Sequence, residues 1–124
     1  LVQSAGFGNS GEFLDNDISE NLKMIDLHCK HRVKITHHFG NIFKNRNKGG
    51  MINLSSIVAY QGTMGAANYS AVNAFLQNFF EGISLELKKY SVDVLSVCPG
   101  PVKTRFEETS KTNFLISSNA FLYW

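Results

Sequence analysis

The chain is poor in proline, cysteine and net charge, and each shortage closes off a class of protein. Its two prolines, Pro99 and Pro101, fall together in one tripeptide. Proline ends helices and strands by fixing φ and removing an N–H donor, so nothing of that kind interrupts the chain before Pro99. The two cysteines, Cys29 and Cys98, are far apart in sequence. They form neither a disulfide framework nor a metal-type pair and suit a reducing, cytoplasmic compartment. No apolar run reaches the roughly 20 residues that a membrane-crossing helix needs. Gln3 and Ser4 break the apolar start too early for a signal peptide. Leu1-Val2 itself reads as the tail of a strand, so any targeting segment would lie upstream. A net charge of +2 is too small for the footprint of a nucleic-acid or membrane-surface binder. The one basic cluster, Lys44-Asn45-Arg46-Asn47-Lys48, closes a helical stretch, where cations complement the negative end of the helix dipole.

What is present suits a globular chain of one domain at most, with 44% hydrophobic and 18% charged residues. Ser4 to Asn16 reads as a glycine-rich loop. Asp17-Ile18-Ser19-Glu20 then has the form of a capping box. Apolar residues at Ile18, Leu22, Ile25, Cys29, Val33 and Phe39, with Ile42 and Phe43 close behind, predict a helix to about Asn45. Gly49-Gly50 breaks it, and Met51 to Leu54 reads as a short buried strand. A second helix is predicted from about Ala67 to Lys89, its apolar face at Val72, Phe75, Leu76, Phe79, Phe80, Ile83 and Leu87. Val92 to Val97 is the next strand, stopped by Pro99-Gly100-Pro101. Alternation of strand and helix implies an α/β fold with a parallel sheet, right-handed crossovers and functional loops at the carboxyl ends of the strands. Beyond Phe106 a polar stretch, Glu107 to Asn113, gives way to a largely apolar one from Phe114 to Trp124.

Gly6-Phe7-Gly8-Asn9-Ser10-Gly11 matches the letters of the dinucleotide fingerprint, but its surroundings do not match the mechanism. Such glycines should lead straight into a helix whose N-terminus faces the pyrophosphate. Here Glu12 to Asn16 intervenes. A ribose-binding carboxylate is expected roughly 20 residues on, where this chain reads His28-Cys29-Lys30-His31. The run is an ordinary loop on this reading.

Ser55-Ser56 ends the middle strand, and Tyr69 opens the second helix, with twelve residues between Ser56 and the tyrosine. Around them, Gly50-Met-Ile-Asn-Leu-Ser-Ser56, Tyr69-Ser-Ala-Val-Asn73-Ala-Phe and Cys98-Pro-Gly-Pro-Val-Lys-Thr104 resemble three successive motifs of the classical short-chain dehydrogenase/reductase family. Ser4-Ala5-Gly6 resembles the family's turn after its fourth strand. The resemblance covers residues 1–106. It implies part of a Rossmann-type, doubly wound parallel sheet, without the N-terminal phosphate-loop unit and the closing strands. It also implies residues 107–124 as an incomplete lid or truncated C-terminal segment. The activity implied is hydride transfer between NAD(P) and a small alcohol or carbonyl substrate. By motif position Ser56 orients the substrate oxygen, and Tyr69 exchanges its phenolic proton as general acid or base. Ser4, Ala5, Gly6, Asn73, Pro99, Gly100, Val102 and Thr104 fall at cofactor-binding positions.

The chain departs from the family at two chemical positions. A lysine is usual four residues after the tyrosine, and this chain has Asn73. A unit charge at about 4 Å and an effective dielectric near 20 is worth roughly 4 kcal/mol, or about three pKa units. No lysine or arginine lies between Lys48 and Lys88 to replace it locally. The family's proton-relay asparagine, usually in an Asn-Leu pair, is matched by Asp26 of Asp26-Leu27. His28, His31, His37 and His38 are read as surface and interface residues, and no metal site is expected. The chain alone is therefore expected to be inactive and to bind neither NADH nor NADPH. The alternative is a non-catalytic association module. Both readings expect self-association through the helices of residues 18–45 and 67–89, with no nucleic-acid or membrane partner.

Overall fold

The computed structural model describes residues 1–100. Three strands, β1 (Val2–Gln3), β2 (Gly49–Leu54) and β3 (Val92–Val97), form one parallel sheet in the order β1-β2-β3. The register sets Val2 beside Ile52 and Ile52 beside Leu95. This is the parallel α/β sheet that the alternating pattern implies, and it fits the partial Rossmann-type sheet that the family resemblance implies. The region assigned to residues 107–124 lies outside the described residues.

The first crossover begins at α1 (Ile18–Ile25), where the Asp17 carboxylate accepts from the Ser19 N–H at 2.8 Å. Only half of the expected capping box forms, because Glu20 bonds Lys23 at 2.6 Å instead of returning to residue 17. A π-helical turn, Asp26–His31, then leads into α2 (Arg32–Arg46). The periodicity predicted one uninterrupted helix, and the wider turn is what it missed. Asn47 in a left-handed conformation ends α2. Here β2 starts two residues earlier than expected, at Gly49, which pairs with Val92 and where Phe43 occupies the space a Cβ would fill. The second crossover, α3 (Ala67–Leu87), matches its expected range closely and is followed by a 3-10 turn, Lys88–Tyr90.

Consecutive strands with right-handed crossovers carry their helices to the same side of the sheet. Met51, Asn53 and Val92 face that side and are buried, together with Leu76 and Phe80 of α3. The row Val2, Ile52 and Leu95 lies on the other side and stays exposed. Along the first crossover the buried face is Asn21, Met24, His28, Arg32, Thr36 and Gly40, while Ile18, Leu22, Ile25, Ile35 and Phe39 remain exposed. The stripe turned toward the sheet is largely polar, and hydrogen bonds are what make its burial tolerable. Gln3 Nε2, for example, donates to the Thr36 hydroxyl at 2.9 Å. Among the described residues no helix is long and apolar enough to cross a membrane.

Candidate active site

The carboxyl ends of the three strands lead into the Ser4-Ala5-Gly6 turn, Ser55-Ser56 and Cys98-Pro99-Gly100, at one edge of the sheet. Backbone bonds hold two of these loops together: Ser55 N–H donates to Val97 O at 2.8 Å, and Ile57 N–H to Pro99 O at 3.0 Å. Ser56 caps the 3-10 turn Ile57–Tyr60, accepting from the Val58 N–H at 3.4 Å.

Tyr69 lies in the first turn of α3, packed in a small core with Met24, Ala66 and Val72. Burial raises its phenol above the ordinary tyrosine range. Hydrogen bonding with Ser56 and Asn73, and the positive charge of Arg32, act in the opposite direction. Ser56 and Tyr69, distant in sequence, are thus brought within hydrogen-bonding reach. Ser55 plays a different part: its hydroxyl is bonded to Asn73 O at 3.0 Å and to Asn73 Oδ1 at 3.3 Å. The Asn73 amide also donates to Tyr69 O at 2.8 Å, and the residue is 2% exposed. To reach a cofactor ribose that amide would have to leave both partners.

Ser4 and Ala5 are exposed, Gly6 and Pro99 half-buried, and Gly100 exposed. Val102 and Thr104 lie outside the described residues. The run Gly6 to Gly11 is not set at a helix start: Gly11 N–H bonds Gly65 O at 2.9 Å, and α1 begins only at Ile18. The Asp17 carboxylate already occupies the N-terminus of that helix, where it would repel a phosphate.

Asp26, at the position matched to the family's proton-relay asparagine, has a half-exposed side chain that pairs with Lys30 at 3.3 Å. One expectation about the first crossover is overturned: His28, read as a surface or interface residue, is buried. Its ring meets the tyrosine ring edge-on, with centroids 6.2 Å apart. His28 Nε2 lies 3.1 Å from Phe7 N and 2.9 Å from Phe7 O, while Nδ1 has no partner among the described residues. Burial first, and the charge of Arg32 second, push its pKa down to about 4.

Arg32 was also missed, because an arginine in mid-helix carries no sequence signal of burial. Its Nη1 donates to Gln3 O at 3.1 Å, to Leu54 O at 2.9 Å and to Asn53 Oδ1, and its Nη2 to Ala5 O at 2.6 Å. One guanidinium therefore ties the ends of β1 and β2. Among the described residues no group of three or more His, Cys, Asp or Glu could hold a metal.

A nucleotide-type α/β sheet with serine, tyrosine and two strand-end turns converging on one edge defines a class, and sequence comparison gives the family. The chain belongs to the short-chain dehydrogenase family, whose model, described as short chain dehydrogenase, matches residues 1–114. The Helicobacter pylori protein named "Probable short-chain type dehydrogenase/reductase VdlC" is 31% identical over 113 residues, covering 91% of this chain and 42% of the relative. A bulky-bulky ketone specific alcohol dehydrogenase from Comamonas testosteroni superposes with a TM-score of 0.77 at 26% identity, over 81% of this chain and 40% of that one. A short-chain dehydrogenase from Sphingobium yanoikuyae, solved with NADPH, shares the fold at a TM-score of 0.86 and 23% identity, over 91% of this chain and 44% of that one. The chain spans less than half the length of these relatives.

Proposed function

We propose that this chain forms the substrate-facing part of a site that interconverts a small alcohol and its carbonyl with NAD(P) as cofactor. The observation that carries the reading is the meeting of Ser56 and Tyr69 at the carboxyl edge of the sheet. Ser56 orients the substrate oxygen, and Tyr69 gives a proton to it or takes one from it. The cofactor, when bound, supplies or accepts the hydride. Ser4, Ala5, Gly6, Pro99 and Gly100 are the positions assigned to hold it, with Val102 and Thr104 placed there by motif. The outward placement of Ser4, Ala5 and Gly100 suits main-chain contact with a nicotinamide. Asn73 acts on this reading through Tyr69 and Ser55 more than through a ribose. The catalytic part runs through residues 1–106 on this reading. The two free thiols fit a cytoplasmic setting.

The test is a chimera in which the preceding strands of a related active enzyme are fused upstream of Leu1. Slow reduction of small carbonyls is expected with Asn73. Asn73→Lys should raise kcat by about tenfold or more with a smaller change in KM, through the tyrosine's acid–base state. Adding Tyr69→Phe should abolish the gain. A gain that survives Tyr69→Phe would remove the tyrosine from the acid's role.

A second reading, association through the helices, is favoured by the exposed stripe of Ile18, Leu22, Ile25 and Phe39 together with Phe75 and Leu85 of α3. Interfaces between copies cover apolar patches of this kind.

A further inference from the structure

We propose that Arg32 is a positioning residue for proton exchange at Tyr69, its buried guanidinium supplying the positive charge that Asn73 cannot. The inference rests on the reading of Tyr69 as the acid. Arg32 is 4% exposed. Every acceptor of its hydrogen bonds named above is neutral: three backbone carbonyls and one amide oxygen. The ion pairs found among the described residues, Lys23 with Glu20 and Lys30 with Asp26, lie on the outer face of the crossover. Among the described residues the guanidinium is thus desolvated without a carboxylate to neutralise it, and its field extends into the site.

The geometry directs that field. Arg32 follows His28 by one π-helical turn on the same buried face, and His28 lies edge-on against the Tyr69 ring. The acceptors Ala5 O and Leu54 O belong to the segments that lead into the Gly6 turn and into Ser55-Ser56. The charge is therefore fixed beneath the two loops that flank the phenol. Among the described residues, the other groups facing Tyr69 carry no competing charge at neutral pH. His28 is neutral, since its pKa lies at about 4, and the Cys29 thiol is pushed up by burial and stays protonated. Ser56 and Asn73 contribute hydrogen bonds without charge. Arg32 acts on Tyr69 in the direction that favours the phenolate, which partly offsets the cost of burying it.

Arg32 also clamps strand ends, so the test must separate charge from clamp. The full chain is prepared with 3,5-difluorotyrosine in place of tyrosine, which brings phenol titration close to neutral pH. Its 19F spectrum is followed against pH, and Tyr69→Phe assigns the signal. Arg32→Gln and Arg32→Met are expected to raise the Tyr69 titration midpoint by about one pH unit, while Arg32→Lys leaves it close to the parent. Equal midpoints in parent and Arg32→Gln, or equal shifts in Arg32→Lys and Arg32→Gln, would overturn the proposal and leave Arg32 as a clamp only. Should the neutral variants fail to fold, Asn53→Asp places a carboxylate on the guanidinium with little change of shape. It must then raise the midpoint, and an unmoved midpoint overturns the proposal equally. The titration uses neither cofactor nor substrate. Loss of activity in the chimera and loss of the Arg32 effect are therefore separate results.

Discussion

His28 can lie against the β1 turn because residue 6 has no side chain: a Cβ there would come within 2.7 Å of the imidazole. The ring is consequently held dry and neutral, and its proton affinity differs between folded and unfolded chains. A histidine whose pKa falls from 6.5 to about 4 on folding binds fewer protons folded than unfolded at intermediate pH. Stability therefore declines as pH drops through about 6.5 and stops declining, for this residue, below about 4. The loss is on the order of 3 kcal/mol. Urea midpoints at pH 7 and pH 4.5 should fall further for the parent than for His28→Gln, which carries no proton to gain. Equal falls would mean that the imidazole is not buried uncharged. Nothing in the letters His28-Cys29-Lys30-His31 distinguishes the buried histidine from the exposed one. Only the wider helical turn does so.

Among the elements, α3 joins the sheet to the tyrosine. Leu76 is fully buried, and Phe80 is nearly so, while Leu85 on the same helix is 78% exposed. Truncating Leu76 removes transfer free energy and leaves a cavity, so Leu76→Ala is expected to cost about 2–5 kcal/mol. Leu85→Ala should fall within about 0.5 kcal/mol of the parent. Comparable losses in denaturant titrations of the two variants would contradict the packing of α3 described here. This helix was legible from sequence because apolar periodicity and burial agree along much of it. The first crossover was legible as a helix but not as a surface. Its apolar letters point outward and its polar ones inward, since Gln3, Asn53 and the strand-end carbonyls supply partners that no pattern within the helix reveals. Ser56 and Tyr69 were readable through their flanking motifs. His28, Arg32 and the Ser55–Asn73 link depend on contacts between segments far apart in sequence, and a one-dimensional reading has no access to them.

At the scale of the whole molecule, the described residues form a one-sided layer. Parallel sheets are ordinarily covered on both faces, whereas Val2, Ile52 and Leu95 form an exposed apolar row here. Together with the outer stripe of the helices, this gives two surfaces that favour association in water. Sedimentation over a concentration series should show the chain self-associating. Leu22→Glu with Phe75→Glu should weaken association through the helices, and Ile52→Glu with Leu95→Glu should weaken it through the sheet. A monomer at all concentrations, or association untouched by both pairs, would refute this. The sequential strand order has another consequence, for synthesis on the ribosome. Each strand pairs with the strand that immediately precedes it in the chain. Strand β1 can therefore join β2 once residues to Leu54 have emerged, and β3 can add after Val97, without waiting for later segments. Growth of the sheet can keep pace with elongation at about 5–20 residues per second, and no described strand has to displace one already paired.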